Sequence, residues 1–119
     1  MHRAAPEFQF RLRIVKGEDI AVGPGKVDLL EAIGATGSIS AAAKALGMSY
    51  RRAWLLVDTM NRCFTQPVVA TEAGGVRGGG TRLTATGAEV VRCYRGAESK
   101  AAEAGASDLA ALAALLRRA

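Results

Sequence analysis

One histidine, two cysteines and six aromatic side chains are all this 119-residue chain holds of the groups that most often carry chemistry or fill a large core. The histidine, His2, stands at the start of the chain, where ends usually fray. There is no Cys/His pair, no metal-ligand spacing and no nucleophile motif, so the sequence points away from an enzyme and implies neither cofactor nor metal. Cys63 and Cys93 are too few for a disulfide framework and read as two buried structural thiols. No apolar run approaches the roughly 18 residues a membrane span needs. The opening MHRAAPEFQF lacks the apolar centre of a signal peptide. These absences predict a cytoplasmic protein that meets no membrane.

What is there is alanine and positive charge. Half the residues are hydrophobic. Alanine forms helices well but buries little area. Leu, Ile, Val and Phe still make up about 23% of the chain, above the roughly 20% below which a core fails. The core is therefore adequate but modest, and a second subunit would help it. The length suits one domain, residues 1–119, since domains run to roughly 100–200 residues. It leaves no room for a catalytic barrel or a separate sensor.

Hydrophobic spacing divides the chain. Phe8, Phe10, Leu12 and Ile14 alternate with Gln9, Arg11 and Arg13, which predicts a half-buried strand over 8–15. A turn at Gly17-Glu18-Asp19 leads to a short return strand at Ile20-Ala21-Val22. Val27, Leu30 and Ile33 predict a helix over 25–36, ended by Gly37. Ser38 caps a second helix over 39–46, with Ile39, Ala42, Ala43 and Leu46 as its buried stripe. Gly47-Met48 breaks it, and Ser49 caps a third helix over 50–64. Tyr50, Ala53, Val57, Met60 and Phe64 share one face of that helix. Arg51, Arg52, Leu55, Asp58, Thr59 and Arg62 share the other. Beyond Pro67, short β-branched runs flank EAGGVRGGGTRLT, a hairpin over about 68–84 with a glycine-rich tip. Thr84 or Thr86 caps a helix from about Gly87, with Val90, Tyr94, Ala97, Ala101 and Ala104 along one face. Gly105 breaks it. Ser107 caps a last helix, whose stripe is Leu109, Leu112, Leu115 and Leu116. These C-terminal helices span about 87–118.

Two short helices joined at Gly47 make a helix-turn-helix pattern over about 38–64. In that motif the first helix crosses the DNA backbone and the second enters the major groove by its N-terminal residues. The first helix and its cap carry Ser38, Ser40 and Lys44. The second begins Ser49-Tyr50-Arg51-Arg52, and arginine suits a bidentate contact with guanine. The stretch from Lys44 to Arg82 carries +4 of the chain's +5 net charge, an electrostatic footprint for a polyanion. Leu55 lies among polar residues, either as a stray exposed side chain or as a contact for a thymine methyl.

The glycine run lacks the lysine of a phosphate-binding loop, and a strand follows it, so a nucleotide site is excluded. A wing fits better, with Arg77, Gly78 and Gly79 brought to the DNA backbone and Arg82 behind them. A mobile loop without function is the alternative. Asp28 and Glu31 share a helix face, a pairing usually left in solvent.

The run GSISAAAKALGMSYRRAW, then Met60-Asn61, then GGVRGGGTRLTATG resembles the N-terminal DNA-binding domain of the ModE family, bacterial molybdate-responsive transcription regulators. The likeness extends from the first strand to about Tyr94. LysR-type regulators have a similar helix-turn-helix, so the order of motifs carries the resemblance. It implies an α+β, mostly helical fold: a winged helix-turn-helix with a short N-terminal strand, a glycine-rich β-hairpin wing and C-terminal helices for dimerisation. It also implies a homodimer on double-stranded, palindromic operator DNA, with Ser49 to Arg52 opening the recognition helix and Gly74 to Gly80 in the wing. The leucine stripe of the last helix either serves that dimer or covers this subunit's own core. The family's C-terminal oxyanion-binding modules have no counterpart before Ala119, so molybdate binding is not implied. A separate effector-sensing protein is expected if an effector acts. A protein-interaction module reusing the winged fold, with Leu55 in an apolar patch, is the competing reading.

Overall fold

The computed structural model describes residues 5–72 and 80–117. Its elements follow the order β1 (Ile14–Lys16), β2 (Asp19–Val22), α1 (Pro24–Thr36), α2 (Ile39–Ala45), α3 (Tyr50–Cys63), β3 (Val69–Thr71), β4 (Thr81–Leu83), α4 (Ala85–Ala104) and α5 (Ala106–Ala114). The fold is α+β and mostly helical, with two small antiparallel sheets, β1–β2 and β3–β4.

Local chemistry accounts for most boundaries. Pro24 opens α1, where its missing N–H costs nothing. Gly37 ends it in the left-handed region, φ 72°, and returns its N–H to the Ile33 carbonyl at 2.8 Å. Three helices carry hydroxyl caps. Ser38 accepts from the Ala41 N–H, Ser49 from Arg52 and Thr84 from Gly87, each at 3.0–3.1 Å. Helix α5 differs from the sequence expectation: it starts at Ala106 behind Gly105 with no side-chain cap, and Ser107 lies inside its first turn.

The N-terminal strand is shorter than its alternation suggests. β1 pairs only where β2 exists, with Ile14 opposite Val22, Val15 opposite Ile20 and Lys16 opposite Asp19. Residues 5–13 have no pairing strand, so Phe8 and Phe10 remain 50% and 37% exposed instead of forming a core face. Leu12 alone of that early run packs inward, against a small cluster of Val22, Val27 and Tyr94. The Tyr94 hydroxyl donates to the Leu12 carbonyl at 2.8 Å.

The main core lies where α1, α2 and α3 meet β3. Leu29, Leu30, Ile33, Ala42, Ala53, Met60 and Val68 are fully buried there. Leu46 leaves the stripe expected of it, because α2 stops at Ala45 and the chain has already begun to turn. One backbone bond ties the hairpin to the end of α1, and another extends its own ladder. The Thr81 N–H donates to the Gly37 carbonyl at 3.0 Å, and the Thr84 N–H to the Val68 carbonyl at 3.0 Å.

Candidate nucleic-acid interface

Helices α2 and α3 are joined by a turn of four residues, Leu46 to Ser49. Gly47 takes φ 67° there, a value a side chain rarely tolerates. The Met48 N–H returns to the Ala43 carbonyl at 3.0 Å, closing the turn tightly. Ala42 and Ala43 are buried where α2 crosses α3. Small residues at the crossing and a left-handed glycine in the turn thus set the start of α3 at a defined angle to α2.

The first turns of α3 face solvent. Arg51, Arg52, Trp54 and Leu55 are exposed, and so is Tyr50, at 54%. Periodicity groups Tyr50 with the buried face, but at the first position of the helix nothing packs above it. Among the described residues neither Arg51 nor Arg52 forms an ion pair. Ser40 and Lys44 are exposed on α2; Ser38 is half-buried beneath its capping bond. Arg62, on the same helix as Arg51, is tied to Asp58 at 3.2 Å.

The hairpin is a short antiparallel pair, with Val69 opposite Leu83 and Thr71 opposite Thr81. Arg82 is exposed on β4 but meets Glu72, which follows β3, at 3.2 Å, and this offsets its charge. Arg77, Gly78 and Gly79 lie outside the described residues.

Some consequential residues escape a reading by windows. Asn61 stitches α3 to β3, accepting from the Val68 and Val69 N–H groups at 2.8 and 3.2 Å and donating to the Val69 carbonyl. Gly87 lets the first turn of α4 sit on the Val68 backbone; a Cβ there would stand 2.1 Å from the Val68 carbonyl oxygen. Asp28 and Glu31 are not simply solvated, because Arg95 of α4 bridges both, at 2.8 and 2.5 Å. Arg11, Arg13 and Lys26, which a window from Lys44 to Arg82 omits, share a pocket with Arg52.

An apolar groove of about 640 Å³ opens between the β1–β2 sheet and α4, lined by Leu12, Ile14, Val22, Phe64, Val90 and Tyr94 among others. Cys93 lies on this open side of α4 and is exposed; Cys63 is half-buried. The expectation of two buried thiols therefore fails at Cys93, since the face of α4 that carries it is not covered by the chain's own core. The same holds for the leucines in α5 and just after it. Leu112, Leu115 and Leu116 are 60%, 81% and 60% exposed, and no residue of α5 is buried. Covering this subunit's own core is not their role. Among the described residues, no helix is long and apolar enough to cross a membrane.

Comparison with known proteins gives this arrangement a kinship. The chain is 42% identical over 94 residues to the molybdenum transport protein ModE of Azotobacter vinelandii, covering 79% of this chain and 35% of that protein. It is 45% identical over 82 residues to the molybdenum-pterin-binding protein MopB of Rhodobacter capsulatus, covering 69% and 30%. It is 38% identical over 71 residues to the DNA-binding transcriptional dual regulator ModE of Escherichia coli K12, covering 60% and 27%. The chain spans about a third of the length of the curated relatives it matches. No protein-family model matches it. The relatives are named as regulators, transport proteins and binding proteins, not as enzymes.

Proposed function

From the chain's kinship with the ModE regulators over most of its own length, we propose that it is a cytoplasmic, DNA-binding transcription regulator of that type. The observation that carries this reading is the serine-capped start of α3, which presents Arg51 and Arg52 without ionic partners after a tight turn from α2. Helix α3 acts as recognition helix. Arg51 and Arg52 read base edges or clamp phosphates, Leu55 meets a thymine methyl, and the free N–H groups of the first turn hold a phosphate. Ser38, Ser40 and Lys44 at α2 touch the backbone. The β3–β4 hairpin is the wing, with Arg77, Gly78 and Gly79 on the backbone and Arg82 exchanging Glu72 for a phosphate.

The regulator acts as a homodimer on two half-sites about 34–36 Å apart. The uncovered groove beside α4 and the exposed leucines of α5 support that assignment. Its targets belong to molybdate transport or molybdenum metabolism, as the relatives' names suggest. Molybdate sensing is assigned to no residue of this chain.

Duplex DNA binding, followed by fluorescence anisotropy across a salt series, tests the reading. Salt-sensitive binding is expected. Arg51→Ala should lose about 1–3 kcal/mol at particular base positions. A loss spread evenly over all sequences would make Arg51 a phosphate contact. Exposed Trp54 and Leu55 favour one competing role, a protein-binding surface on the same helix. Failure to bind any duplex at low salt would leave that role standing and sink the regulator.

A further inference from the structure

Cations from three separate stretches of sequence meet at the beginning of α3. Arg11, Arg13 and Lys26 line one open pocket of about 230 Å³ with Arg52 and Leu56 of α3 and Ile20 of β2. No acidic side chain lines it. Among the described residues none of Arg11, Arg13, Lys26 and Arg52 forms an ion pair. Lys26 is held in place by donating to the Ile20 carbonyl. Its pKa is lowered, chiefly by burial, with nearby Asp19 and Cys63 opposing that. Like charges around one hollow repel, and an anion placed there removes the repulsion.

The path of the N-terminal segment explains the meeting. The Lys16 ammonium donates to the Cys63 carbonyl in the last turn of α3, at 3.3 Å. Five residues earlier, Arg11 shares the pocket with Arg52 in the first turn. The segment therefore runs alongside α3 and delivers its arginines to the end where the helix begins.

We propose that this pocket receives a backbone phosphate of duplex DNA, making residues 11–13 a second clamp beside the recognition helix. The inference rests on the DNA-binding reading above. Duplex DNA is the occupant the geometry favours, because Arg52 belongs both to the pocket and to the helix turn assigned to the major groove.

The double variant Arg11→Ala/Arg13→Ala tests it. Both residues are exposed and outside any helix or strand, so the thermal melt should match the parent. The expected result is weaker binding to every duplex, unchanged base preference, and a salt slope reduced by about 1. Across a fourfold rise in salt that is about a fourfold smaller loss of affinity than the parent shows. Parent-like affinity and slope in the double variant would overturn the clamp while leaving the regulator intact. If the parent itself binds no duplex, the DNA-binding reading fails and takes the clamp with it. Inorganic phosphate saturating the pocket without competing with DNA would mark a free-anion site and also overturn the clamp.

Discussion

Asn61 makes three hydrogen bonds to two consecutive residues at the start of the hairpin, Val68 and Val69, and none of them is visible in its own neighbourhood of sequence. Val68 and Val69 beside it are buried, so their N–H groups have no water to turn to. A buried group left unpaired costs about 1–3 kcal/mol. Asn61→Ala should therefore lower stability by about 2–3 kcal/mol, read as a lower urea midpoint with an unchanged m-value. A loss of a few tenths would show that water replaces the side chain. Gly87 offers a sharper case, because two effects oppose. Alanine is the better helix former by about 1 kcal/mol. Its Cβ, however, would sit 2.1 Å from a backbone oxygen, which cannot swing aside as a flexible side chain could. Overpacking of this kind costs about 1–3 kcal/mol, and at so short a separation the upper end applies. Gly87→Ala is expected to destabilise on balance, and a raised melting temperature would refute the close contact.

Between elements, the connection of α1 to α4 is ionic at its outer edge. Arg95 reaches Asp28, Glu31 and Glu98 at once. The hydrogen bond from Arg95 holds the Glu31 carboxyl below its usual 4.5, with partial burial acting the other way. A depressed carboxyl pKa stabilises the fold above the unfolded value. That contribution disappears as pH falls through the lower, folded value. Comparing the parent with Glu31→Gln by urea unfolding should show a gap at pH 7 that closes as pH drops below about 4.5. Glu31 is 44% exposed, so the gap should stay under about 1 kcal/mol. A gap independent of pH would assign the effect of Glu31 to packing instead.

Over the whole molecule, the radius of gyration is 17.6 Å, against about 13.5 Å for a compact chain of this length. The excess reflects α4, 20 residues long, and α5, which buries nothing. A modest core and a row of bare leucines support the proposed homodimer, which the next variant tests. Each leucine covered would contribute about 1.5–3 kcal/mol. The double variant Leu112→Glu/Leu116→Glu should shift sedimentation from dimer toward monomer. It should also weaken binding to a two-half-site operator more than to a single half-site. A dimer unaffected by both glutamates would remove α5 from the interface and leave the groove beside α4 as the contact.

Helix positions, the caps at Ser38 and Ser49 and the breaks at Gly37 and Gly47 were legible because each depends on residues within one turn of itself; the cap of α4 was legible only as Thr84 or Thr86. The order of motifs around Ser49, Arg51 and the glycine run is a feature of the chain itself, and it named α3 as the candidate reading helix. The strand over 8–15 was not legible as three residues, because its length is set by what β2 offers opposite it. Nor was the exposure of Tyr50, Leu46 or Cys93, since burial is decided by elements that cross in space. The basic footprint shows the difference most clearly. Sequence alone confined it to Lys44 through Arg82, and there the tertiary structure ties Arg62 and Arg82 to acids. It also brings in Arg11, Arg13 and Lys26 beside Arg52. The sum of charges belongs to the chain, but their field belongs to the fold, because Coulomb energy follows distance through space and not separation along the backbone.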